Sequence, residues 1–193
     1  MFKQLALALA AVAALPASAL TTGDLAFTAF NADEDGYALV TFVDIAANTQ
    51  VFFTDNEWTG TAFNGGESYH AWNTGSNLIA AGTVVRFSKI DTVALAASLG
   101  TFTRASVSGS TNYGSSQSED SVYVYQADSV TGTPSFLAAI SSTAFGSASA
   151  GMLTNTGLSV GAGAVELGGG ADHDEYIGVR SGLASFAAYK PLV

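Results

Sequence analysis

Apolar residues recur along this chain in short bursts bounded by Gly, Asn, Asp and Ser. Residues 25–30 (LAFTAF), 37–43 (YALVTFV), 50–54 (QVFFT), 68–72 (SYHAW), 83–88 (TVVRFS) and 121–126 (SVYVYQ) read as strands. The run 37–43 is nearly all apolar, which predicts a central strand covered on both faces. In 121–126, Val and Tyr fall on opposite faces because side chains alternate along a strand. Residues 135–140, 164–167 and 176–179 are weaker strand candidates. Two short helices are predicted. Asp91 can cap residues 92–99, which Gly100 ends. Residues 183–190 carry Leu183, Phe186 and Tyr189 at helical spacing. Strands and helices do not alternate, so a parallel sheet is not expected. The pattern predicts an all-β protein, an antiparallel β-sandwich with one or two short helices. Residues 106–118 (SVSGSTNYGSSQS) form a long polar surface loop rather than a boundary, so residues 20–193 are expected to be one domain.

The first 19 residues break this pattern. Lys3 precedes an apolar stretch, residues 5–15 (LALALAAVAAL), and Ala17-Ser18-Ala19 puts small residues where a signal peptidase cuts. The stretch is shorter than the roughly 20 residues a membrane span needs. A secretory signal cleaved after Ala19 is expected, which leaves 193 − 19 = 174 residues, secreted or at the cell surface. The chain has no Cys and no Asn-x-Ser/Thr sequon. Core burial and backbone pairing must therefore hold it without disulfides, and N-glycosylation is not expected.

Charged residues are only 11%, yet the formal net charge is −10, or −11 once Lys3 leaves with the signal. The remaining cations, Arg86, Lys89, Arg104, Arg180 and Lys190, are scattered. Such a surface repels phosphate backbones and anionic lipid, which excludes direct nucleic-acid binding.

Several short motifs resemble a secreted bacterial module that is itself similar to the lamin-tail domain. They are residues 23–28 (GDLAFT), 31–33 (NAD), 43–45 (VDI) and 53–58 (FTDNEW), then 79–85 (IAAGTVV) and 119–125 (EDSVYVY). The likeness runs over most of residues 23–180, although 37–43 lacks the Glu-Trp-Ile-Glu core of many lamin-tail strands. The resemblance implies an immunoglobulin-like sandwich that binds or scaffolds, with a surface protein, a glycan or a second copy as partner. In bacteria such modules often accompany secreted hydrolases or surface proteins. It implies no catalytic residues.

Four stretches could carry chemistry. Asp55-Asn56-Glu57-Trp58 ends a strand, and Asp and Asn bond their own backbone in turns. On that reading Trp58 lids the core and Glu57 faces solvent. The competing reading makes Asp55, Glu57 and Trp58 a sugar contact or a carboxylate pair. Asn31-x-Asp33-x-Asp35-Gly36 matches the first half of a calcium loop, with Gly allowing the bend. The twelfth position is Phe42 rather than a bidentate Glu, so it is no EF-hand. Calcium held by Asn31, Asp33 and Asp35 with help from another loop is the one cofactor suggested.

Asp172-His173-Asp174-Glu175 alternates faces if extended, which disfavours a metal site. His70 shares a face with Ser68 and Trp72 and reads as a packed histidine. Gly157-Leu158-Ser159-Val160-Gly161 fits a nucleophile elbow but lacks the strand–turn–helix context. The expected function is a non-catalytic binding or structural module. The competing class is a secreted hydrolase or a calcium-dependent carbohydrate-binding domain.

Overall fold

Two sheets face each other in the computed structural model, which describes residues 19–170 and 172–193. The expected signal sequence, but for Ala19, lies outside the described residues. The smaller sheet contains β1 (Leu25–Asn31), β2 (Gly36–Thr41), β5 (Val84–Ser88), β6 (Ala96–Ala97) and β12 (His173–Glu175). Its spatial order is β12-β1-β2-β5-β6. The larger contains β3 (Gln50–Thr54), β4 (Tyr69–Asn73), β7 (Thr101–Arg104), β8 (Ser121–Gln126), β9 (Ser135–Ser141), β10 (Ser159–Val160) and β11 (Gly163–Glu166). Its order is β10-β11-β9-β8-β3-β4-β7. The all-β sandwich expected from the sequence is the fold.

Alternation along β8 feeds two separate cores. Val122 and Val124 point between the sheets, where they join Phe27, Tyr37, Leu39, Phe53, Trp72 and Phe87. Tyr37 stacks on Phe53 there with ring centroids 5.5 Å apart. Tyr123 and Tyr125 point the other way, into a second cluster with Trp58, Phe136 and Leu158 on the outer face of the larger sheet. Each fully buried aromatic or aliphatic side chain contributes about 1.5–3 kcal/mol relative to exposure. The larger sheet is therefore covered on both faces, by the smaller sheet and by loops.

The structure corrects several local expectations. The larger sheet is mixed, because β11 runs parallel to β9 and β10 parallel to β11. The long crossover that joins β9 to its parallel neighbour β11 is residues 142–162, which contain no helix and include β10. Residues 92–99 are not helical. Thr92 N–H donates to Lys89 O in a tight turn, and Ala96–Ala97 pairs with the edge of β5. Val93 is 93% exposed, so no apolar stripe finds a partner that would favour a helix.

The predicted 183–190 helix is instead a short 3-10 helix, Phe186–Leu192, with Pro191 inside it. It lies against the outer face of the smaller sheet. Gly82, at φ +84°, leaves room for the Phe186 ring where a Cβ would collide. Residues 176–179 are not a strand, and β12 ends just before them. Among the described residues no helix is long and apolar enough to cross a membrane.

Candidate functional site

Strand β3 ends at Thr54, and from Asp55 side chains take over from the backbone ladder. Asp55 Oδ1 accepts from Ser68 N–H at 2.6 Å and from Ser68 Oγ at 2.8 Å. Asn56 Nδ2 donates to Thr54 Oγ1 at 2.7 Å and to Ser68 O at 3.1 Å, while its Oδ1 accepts from Glu67 N–H at 3.2 Å. The ends of β3 and β4 are thus tied across the sheet by an Asp–Asn pair, rather than by the bonds to their own local backbone that the sequence suggested. Trp58 is 6% exposed and donates from Nε1 to Thr154 O at 2.8 Å, with its indole edge-on to Phe63 and Phe136.

Glu57 departs from the expectation that it faces solvent, being only 7% exposed. The loop after Trp58 folds back as a bridge to Phe63 and brings Asn64 onto Glu57. Asn64 Oδ1 accepts from Glu57 N–H at 2.9 Å, and Asn64 Nδ2 donates to Glu57 Oε2.

Two further carboxylates join this corner. Glu67 precedes β4 and Asp120 precedes β8. Burial is the main cause that pushes Asp55 up to about 8, with the charges of Asp120 and Glu67 adding to it. Burial likewise raises Asp120 to about 7, opposed by the Ser116 N–H and helped by Glu67 and Glu57. Glu67 rises to about 7, through burial and then the Glu57 charge, opposed by a hydrogen bond from Asn112. Asp120 Oδ1 and Glu67 Oε2 are both buried and accept no hydrogen bond. Neither ion pair among the described residues, Arg180–Glu175 or Lys190–Asp24, involves any of the four.

Behind Asp55, the Ser68 hydroxyl lies 3.3 Å from His70 Nδ1, and His70 Nε2 lies 3.2 Å from Ile90 O. Burial holds His70 down at about 4, so the ring is neutral at pH 7. The order is acid–serine–histidine, with the serine in the middle. A nucleophilic relay needs the histidine between serine and acid. The gap enclosed by Tyr37, Asp55, Ser68, His70 and Ser115 is too tight to admit a water molecule.

The polar loop 106–118 closes this end of the sandwich. The Arg104 guanidinium sits 3.9 Å from the Tyr113 ring centroid, and Tyr113 packs edge-on to His70. Ser115 N–H donates to Asp35 Oδ1 at 2.6 Å and Ser116 N–H to Asp120 Oδ2 at 2.5 Å. Gly66 O accepts from Thr111 and Asn112 N–H, and Gln117 O accepts from Gly170 N–H. The Gln117 amide, oriented to satisfy its neighbours, donates to Asp172 Oδ1 at 3.0 Å. The loop is therefore hydrogen-bonded to two of the acidic stretches that the sequence singled out, at Asp35 and Asp172, and to Asp120.

Within the expected calcium turn, Asn31 Oδ1 accepts from Glu34 N–H, Asp35 Oδ1 is taken by Ser115, and Asp33 is exposed. His173 pairs with Asn31 across β12 and β1, and Ala32 N–H donates to Asp172 O. Glu175 instead pairs with Arg180 at the surface. Ser159 lies exposed in edge strand β10, with no helix after it, so the elbow motif has no elbow geometry. Among the described residues no three acidic or histidine groups converge tightly enough to hold an ion as they stand.

Sequence reasoning did not find Glu67 and Asp120 as partners of this corner. Their relation to Asp55 is made only by strand pairing, and nothing local marks it. No protein-family model matches this sequence, and no curated protein or solved structure matches it significantly.

Proposed function

We propose that the chain is a non-catalytic, lamin-tail-like β-sandwich, exported from the cell, that acts as a binding or structural module at or beyond the surface. One observation carries this reading: the groups with acid–base chemistry, Asp55, Ser68 and His70, are at most 4% exposed and bonded to one another with no cleft beside them. A general acid or base must reach substrate within hydrogen-bond distance, directly or through one water. The carbohydrate reading loses its aromatic platform, since Trp58 and Trp72 are 6% and 1% exposed and lie in separate cores. A surface protein, a glycan met through polar loops or a second copy is the partner class.

The expected cut falls beside a residue that the core holds. Leu20 is 6% exposed and its N–H donates to Gln126 Oε1 at 3.0 Å, whereas Ala19 is exposed. A cut after Ala19 keeps Leu20 and this hydrogen bond in the chain. N-terminal sequencing of exported protein is expected to begin at Leu20, and intact Met1 in a soluble cytoplasmic fraction would count against export.

The test of function is a panel of chromogenic glycosides and esters run beside a glycan array, with and without calcium. No turnover is expected. Turnover that disappears in Asp55→Asn, in a variant that melts normally, would establish the hydrolase instead.

A further inference from the structure

Asn64 is the only asparagine in the chain that is followed by glycine. The backbone nitrogen of the next residue can attack an asparagine side-chain amide, and a side chain on that residue is the main obstacle. Here Asn64, Gly65 and Gly66 are all exposed, and the two glycines present no side chain. Gly65 N–H donates to no described residue, and a Cβ built on Gly65 would meet nothing within 4 Å. The nitrogen is free, and the backbone around it is open to turn toward Asn64 Cγ. The amide is held from its other side. Glu57 N–H donates to Asn64 Oδ1 at 2.9 Å, which polarises the side-chain carbonyl and steadies the oxyanion that addition creates.

We propose that Asn64 is a site of spontaneous deamidation, and that the change opens the Glu57 corner. Gly65 N gives up its proton and bonds to Asn64 Cγ. The Cγ–Nδ2 bond breaks, and Nδ2 leaves as ammonia carrying that proton. Water then opens the resulting succinimide at either carbonyl. Opening at Cγ gives aspartate; opening at the main-chain carbonyl gives isoaspartate, whose backbone is one atom longer. In both products a carboxylate oxygen replaces the donor at Nδ2. Glu57, only 7% exposed, loses the hydrogen bond at Oε2 and faces a like charge. Isoaspartate also displaces the segment that follows. There Gly66 O accepts from Thr111 and Asn112 N–H, Glu67 O accepts from the Ser110 hydroxyl, and Glu67 N–H donates to Asn56 Oδ1. The grip of the 106–118 loop and part of the tie between β3 and β4 therefore hang on the residues just past the modified link.

The purified exported chain is aged at pH 8, then digested and mapped by mass spectrometry. A mass gain equal to water minus ammonia is expected at Asn64 ahead of every other asparagine, with isoaspartate among the products. Gly65→Ala is expected to react roughly tenfold more slowly, because a Cβ restricts the backbone that must turn. Fresh Gly65→Ala should melt with the wild type, since its Cβ enters open space. Fresh Asn64→Asp is expected to melt roughly 2–8 °C below the wild type. Aged wild type should move toward it, and aged Gly65→Ala should lag. The proposal is overturned if Asn64 keeps its amide through ageing, or if Gly65→Ala reacts as fast as the wild type. It is equally overturned if Asn64→Asp melts with the wild type, because the corner then does not depend on the amide.

Discussion

Trp58→Ala is expected to unfold in urea far below the wild-type midpoint, with a loss of about 3–5 kcal/mol. The indole is the largest member of the second core and sits edge-on to Phe63 and Phe136 at 5.1 and 5.0 Å. Its removal opens a cavity between the outer face of the larger sheet and the loops that cover it. The lost hydrogen bond adds little, because its acceptor belongs to exposed Thr154, where water replaces the donor. Trp58→Phe should therefore recover much of the stability. With a urea slope of about 1–3 kcal/mol per molar, the midpoint should fall by at least about 1 M. A midpoint equal to wild type would put the indole at the surface and revive the sugar-stacking reading.

In chelator, stability is expected to fall as pH rises from about 6.5 to 8, opposite to the usual behaviour of salt-bridged carboxylates. Asp55 and Asp120 titrate near 3.8 when unfolded but at about 8 and about 7 when folded, chiefly through burial. Over that interval the folded state holds more protons than the unfolded state. Each such group therefore lowers stability by about 1.4 kcal/mol per pH unit between its two values. Glu67 acts in the same direction but less, because water screens it.

His70 works the other way. Its folded value of about 4 lies below the ordinary 6.5, so it stabilises with rising pH only up to about 6.5. It offsets one carboxylate between about 4 and 6.5 and none above, so the fall steepens once the pH passes about 6.5. Melts across that range should show the fall, and Asp55→Asn should flatten its upper part. A melting temperature that climbs from pH 6.5 to 8 would show that these groups are ionised and satisfied in the fold.

Local pattern revealed the parts of this molecule whose causes are local. The alternation of residues 121–126 assigned Val and Tyr to opposite faces, and both cores follow from it. That the chain stops being a strand at Asp55–Asn56 was legible, but the partners of the two side chains, Ser68 and Glu67, were not, because they come from the start of β4. The failures come from distant partners. Residues 92–99 lie between a cap residue, Asp91, and a stop, Gly100, but the free edge of β5 captured Ala96–Ala97. Glu57 looks like a surface carboxylate until Asn64 folds over it. Glu67 and Asp120 meet Asp55 only through the pairing of β3 with β4 and β8, and no sequence spacing encodes that meeting.

The 106–118 loop grips its neighbours mostly through main-chain groups: the N–H groups of Thr111, Asn112, Ser115 and Ser116, and the carbonyl of Gln117. Any amino acid other than proline supplies the same N–H, and every residue supplies the carbonyl. The path and length of this segment are therefore what natural variation must preserve, while most of its side chains are free to drift. The exceptions are Tyr113, held between Arg104 and His70, the Ser110 hydroxyl on Glu67 O, and the Gln117 amide on Asp172. A single-residue deletion would move the donors past Asp35 and Asp120 together, whereas many substitutions would leave both in place.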